Sequence, residues 1–131
     1  TSTKGAVLGL AVEPPAVLEG VTYAVLGYSN GRQGVQSPLG GTTLTIRFEN
    51  GVASGHAGCN AYRADYTLEE GRLVLTPAAT TRKACPGDGV MAQEQAFLEA
   101  LGSATTFTLQ DGRLDLRRTD GALALTARAS E

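Results

Sequence analysis

TTLTIRFENGVASGHAGCNAY, residues 42–62, carries two signals in one run. In its first part Leu44, Ile46 and Phe48 alternate with Thr43, Thr45 and Arg47. Neighbouring side chains of an extended backbone point to opposite faces, so the pattern predicts a half-buried strand over residues 42–49. Asn50-Gly51 supplies the positive-φ pair that a two-residue hairpin turn requires, and residues 52–56 are predicted to return antiparallel. Beyond them, Gly55 and Gly58 suggest backbone that a Cβ would strain, and Asn60 suits a turn, where its short amide bonds nearby backbone.

The same rhythm spreads outward. Residues 23–28 and 62–68 read as strands, and the turn at Glu69-Glu70-Gly71 leads to a strand over 72–76 with Leu73 and Leu75 inward. Residues 105–109, 113–118 and 122–127, joined at Asp111-Gly112 and Asp120-Gly121, read as a meander. Residues 29–41, with four glycines and Pro38, read as a loop. One segment breaks the pattern. Asp88 is placed to cap a helix starting at 89 or 90 that Gly102 ends, with Val90, Met91, Phe97, Leu98 and Leu101 on one side. Glu94 falls inside that apolar stripe, where a carboxylate must reach solvent or find buried donors; a structural bond to a neighbouring loop is favoured over catalysis. The predicted fold class is mainly β, α+β by content: a curved antiparallel sheet or partly open barrel with one helix packed on or into it.

At 131 residues the chain is long enough for one domain with a single core. A net charge of −2 gives no general attraction to nucleic acid. Arg113, Arg117 and Arg118 alternate with Asp115 and leucines, which suits a solvated strand face better than a basic patch. No apolar run is long enough for a transmembrane segment, and no glycine loop opens a helix to cradle phosphate. Residues 5–12 follow Lys4 like a signal-peptide core, but the run is short, lacks a small-x-small cleavage site and leads into Glu13-Pro14-Pro15. The same run resembles residues 120–128, each being a charged residue, Gly-Ala and alternating aliphatics. Residues 1–19 are therefore expected to be a strand and linker, either the end of a preceding repeat or a chance likeness, ahead of a domain over 20–131.

Cys59 and Cys85 are the only cysteines, without CxxC spacing, in a chain whose single histidine is His56. That set suits a cross-link better than a metal site. A redox-active pair remains open, as does a thiol activated by His56, although positions 56 and 59 face opposite ways on a strand unless Gly58 turns the chain.

Taken together, Gly55-His56-Ala57-Gly58-Cys59-Asn60-Ala61-Tyr62, Thr81 four residues before Cys85, and Met91-x-Gln93-Glu94-x-x-Phe97-Leu98-x-x-Leu101 resemble the META domain, the HslJ-like family of bacterial envelope proteins. The ordering matches over residues 20–127, with Tyr23 standing where the family usually has tryptophan. The resemblance implies a small barrel-like fold with one helix and, in many members, a disulfide between the two motif cysteines. It makes Gly55, Gly58, Asn60, Tyr62, Thr81, Met91, Gln93 and Glu94 a structural motif. Members are often secreted or lipid-anchored, sometimes in tandem, and linked to envelope or stress phenotypes; no enzymatic activity and no cofactor follows. The expected function is a non-catalytic extracytoplasmic domain whose partner is an envelope or secreted protein, or a neighbouring repeat. The alternative is a barrel-type carrier for a lipid or other apolar ligand. The two part on whether Met91, Phe97, Leu98 and Leu101 fill the barrel.

Overall fold

The hairpin at Asn50-Gly51 is one turn of a closed barrel. A computed structural model describes residues 18–30 and 34–129. The described elements are β1 (Thr22–Ser29), β2 (Val35–Gln36), β3 (Thr45–Glu49), β4 (Val52–His56), β5 (Ala61–Glu69), β6 (Arg72–Leu75), β7 (Ala79–Thr80), α1 (Val90–Gly102), β8 (Thr106–Gln110), β9 (Arg113–Arg117) and β10 (Leu123–Ala129). Eight strands form an antiparallel ring in the order β1-β3-β4-β5-β6-β8-β9-β10. The ring closes because β10 pairs back onto β1, from Tyr23 opposite Ala129 to Tyr28 opposite Leu125. Closure leaves no long open edge in the ring, so the barrel is shut rather than partly open. Its narrowest seam is between β6 and β8, held by the Arg72–Thr106 pair and the bonds that flank it.

Two short strands lie outside the ring. β2 continues along β1 beyond β3, within the segment expected to be loop, and β7 runs along β5 beyond β6. The predicted turns form as the sequence dictates at Asn50 (φ 54°) with Gly51 (φ 79°) and at Asp111 (φ 54°) with Gly112 (φ 79°). At Asp120-Gly121 only the glycine has positive φ; Asp120 Oδ1 accepts the Ala122 N–H, which makes a side-chain-closed turn.

Inward positions of the alternating strands fill the barrel: Ile46, Phe48, Leu73, Leu114, Leu116 and Leu125 are all buried to within 1%. The preceding chain joins this core at Leu18, buried and accepting the Tyr23 hydroxyl, and at Glu19, bridged to Phe48. The proposed N-terminal strand over residues 5–12 lies outside the described residues.

The helix spans residues 90–102, as the spacing predicts, but two details differ. Asp88 does not cap it; Gly89 occupies the cap position in the left-handed conformation (φ 83°), with no side-chain bond to the first turn. The buried face is also rotated from the predicted stripe. Gln93, Glu94, Phe97, Ala100 and Leu101 point inward, while Met91 is 39% exposed and does not fill the barrel. α1 lies across the barrel end where β1 and β4 finish and β3 and β5 begin. Phe97 plugs that end, packing edge-on against Tyr28 (centroids 6.4 Å apart) and Tyr62 (5.7 Å).

Candidate functional site

The inward polar residues of α1 meet the loop before β5. Glu94 Oε1 accepts the N–H groups of Cys59 (3.1 Å) and Asn60 (2.7 Å), and Oε2 accepts the Asn60 amide (2.7 Å). These three donors provide what a buried carboxylate needs. Asn60 in turn uses every hydrogen-bonding position of its side chain. Its Nδ2 donates to Glu94 and to Lys83 O (3.1 Å), while Oδ1 accepts Lys83 N–H (2.7 Å) and the Thr81 hydroxyl (2.8 Å). The Thr81 oxygen also accepts the Ala61 N–H, and Thr81 N–H donates to Ala61 O. Helix, loop and the segment after β7 thus converge on one buried amide.

The neighbouring motif residues have steric reasons for their identity. A Cβ on Gly55 would sit 2.1 Å from Thr45 O, so β4 approaches β3 more closely than any side chain permits. Tyr62, opposite Gly55 in the ladder, donates its hydroxyl to that same Thr45 carbonyl at 2.7 Å. Burial pushes its phenol well above the ordinary range. Gly58 turns the chain at φ 102°, and a Cβ there would press on the Gln93 amide at 3.1 Å. Gln93 ties α1 to the chain before β3, accepting Leu39 N–H (2.7 Å) and donating to Thr42 Oγ1 (3.0 Å). Met91 stands apart from this network, at the rim of a cleft.

Cys59 and Cys85 form a disulfide, with Cα atoms 6.0 Å apart, so neither sulfur is a free thiol for His56 to activate. His56 donates from Nδ1 to Thr43 O. The alternating arginines are paired locally: Arg113 with Asp115 and Thr126, Arg117 with Gly121 O, and Arg118 with Asp120. Among the described residues, no three or more His, Cys, Asp or Glu side chains converge as a metal site would require. No helix of the described residues is long and apolar enough to cross a membrane.

Sequence reasoning did not single out Thr42, Thr45 or Lys83. The structure uses the backbone of Thr45 and Lys83, which carries no signature in residue type. A cleft of about 600 Å³ runs between α1 and the chain after β6, lined by Leu75, Pro77, Ala78, Met91, Leu98 and Leu101. A second, of about 620 Å³, lies outside β4, β5 and β7 beside Thr81.

An NMR structure of a protein from Burkholderia xenovorans matches the fold with a TM-score of 0.70 at 24% identity, over 93% of this chain and 94% of that one. A second NMR structure matches with a TM-score of 0.61 at 21% identity, over 85% and 90% of the two chains. At such identities the likeness concerns the fold alone. No curated protein matches significantly. The META domain model matches residues 17–131, nearly the whole chain and every residue of the network around Asn60. The chain therefore belongs to the META domain family.

Proposed function

We propose that this is a non-catalytic, extracytoplasmic domain that acts by binding another protein. The observation that supports the reading most is the packed interior: among the described residues, core leucines and aromatics occupy the barrel and Phe97 closes one end, which counts against an enclosed ligand. The polar motif residues are committed to one another, and a disulfide suits an oxidising compartment. The likeness of residues 5–12 to residues 120–128 supports reading the chain ahead of Leu18 as the end of a preceding copy, with Leu18 and Glu19 already part of this domain; a gene with no upstream copy would contradict that part.

A second reading has one observation in its favour. The apolar cleft beside α1, with Met91 exposed at its rim, offers an apolar ligand a surface seat outside the barrel. Native mass spectrometry of the domain, gently extracted from intact envelope, separates the two. The protein-binding reading predicts a bare chain, or one carrying a protein partner, with its disulfide intact. A stoichiometric lipid adduct lost on Met91→Glu would replace that reading with the carrier.

A further inference from the structure

The segment after β7 presents its backbone in alternation. Thr81 N–H turns inward to Ala61 O, and Lys83 gives both its N–H and its C=O to the Asn60 amide. Thr80, opposite Tyr62 in the ladder, precedes the inward-bonded Thr81, so its own N–H and C=O point away from β5. Among the described residues, the backbones of Arg82 and Ala84 make no hydrogen bond. Residues 80–84 are exposed, and neither Arg82 nor Lys83 has an ion-pair partner among the described residues. The result is a basic segment with backbone groups free at 80, 82 and 84, and fixed from within at 81 and 83.

We propose that residues 80–84 form a substrate-like loop that occupies the active-site cleft of a trypsin-like serine protease, with Arg82 in the specificity pocket. Proteases hold substrates as extended strands through backbone bonds at alternating positions, and this loop leaves those positions open. A pocket with a carboxylate at its base takes arginine. Lys83 cannot fill that role, because the N–H and C=O that the protease would need are bound to Asn60. Preorganisation separates an inhibitor from a substrate, since a loop already held in its bound shape loses little entropy on docking. Here the Arg82–Lys83 bond is clamped from both sides, by the β7–β5 ladder before it and by Asn60 and the Cys59–Cys85 bridge after it.

The clamp also governs what the protease can do to the bond. Attack by its serine on the Arg82 carbonyl forms an ester and breaks the Arg82–Lys83 bond, and the serine proton passes through histidine to the departing Lys83 amine. That amine stays held by Asn60 and the disulfide, so it re-attacks the ester, restores the peptide bond and returns the proton to serine. The complex persists without net hydrolysis.

The proposal rests on the protein-binding reading and names its partner class. The test is trypsin acting on a small chromogenic amide, titrated with the full chain. Expected is tight, near-stoichiometric inhibition, with the chain recovered uncleaved at Arg82–Lys83. Arg82→Ala weakens inhibition by at least about 100-fold, as loss of a central arginine anchor does, whereas Lys83→Ala stays within about tenfold. Arg82→Leu moves inhibition from trypsin to chymotrypsin. Both Arg82 variants keep the thermal midpoint, because the side chain is exposed. Trypsin left fully active at large molar excess of the chain overturns the proposal, as does rapid cleavage without inhibition or equal inhibition by Arg82→Ala. Such a result leaves the protein-binding reading standing, which falls only to the lipid adduct described above.

Discussion

Asn60 and Glu94 decide more of this structure than any apolar pair. Glu94→Gln replaces an acceptor of three N–H groups by an amide that must turn one N–H₂ toward a donor. It should lower stability by about 2–3 kcal/mol, the cost of an unsatisfied buried partner, measured as a shifted urea midpoint with unchanged slope. Gly55→Ala should cost at least about 3 kcal/mol, because the methyl meets the Thr45 carbonyl of a paired strand, which has nowhere to move. Tyr66 gives a pH test. Burial first, then its hydrogen bond to Glu19, pushes its phenol up to about 12. The unfolded chain releases that proton near pH ~10, so the contribution of Tyr66 is whole below about 10 and lost as pH rises toward 12. Urea midpoints followed across that window should fall steeply, and less steeply in Tyr66→Phe. The motif glycines and the cysteines could be read from residue type; the partners of Glu94 could not, since two of its donors are backbone groups.

At the scale of elements, the strands were legible and the helix only in part. Alternation located the strands because one face of each meets the core, and Asn50-Gly51 and Asp111-Gly112 fixed two turns through their positive φ. For α1 the length was legible, and so was Glu94 as an inward carboxylate bonded to a neighbouring loop; counting apolar residues cannot foresee that Gln93 goes inward and Met91 outward, when the partners of Gln93 lie at positions 39 and 42. The cap differs from the expectation for a related reason. Gly89, with φ 83°, is able to make the turn into the helix without a side-chain acceptor, so Asp88 stays exposed. Asp88→Ala should therefore leave stability within about 0.5 kcal/mol, whereas Gly89→Ala should cost about 1–2 kcal/mol through left-handed backbone strain. Thermal melts of the two variants side by side check both values.

At the scale of the whole molecule, closure was the least legible feature. It depends on β10 pairing with β1, two strands from opposite ends of the described chain, and no local pattern announces which edges meet. The disulfide works at the same range, joining residues 26 positions apart. Reducing it should cost about 3.5 kcal/mol in the chain-entropy account, seen as a lower unfolding midpoint with dithiothreitol than without. The central claim is that the family's signature residues form a structural clamp which holds an exposed loop in one shape. Amide hydrogen exchange over residues 57–86 tests it most directly. The clamp predicts that the amides of Cys59, Asn60 and Lys83 exchange only with global unfolding, while Arg82 and Ala84 beside them exchange at nearly the free-chain rate. Fast exchange at Lys83 equal to that of its neighbours, with Asn60 no slower, would contradict it.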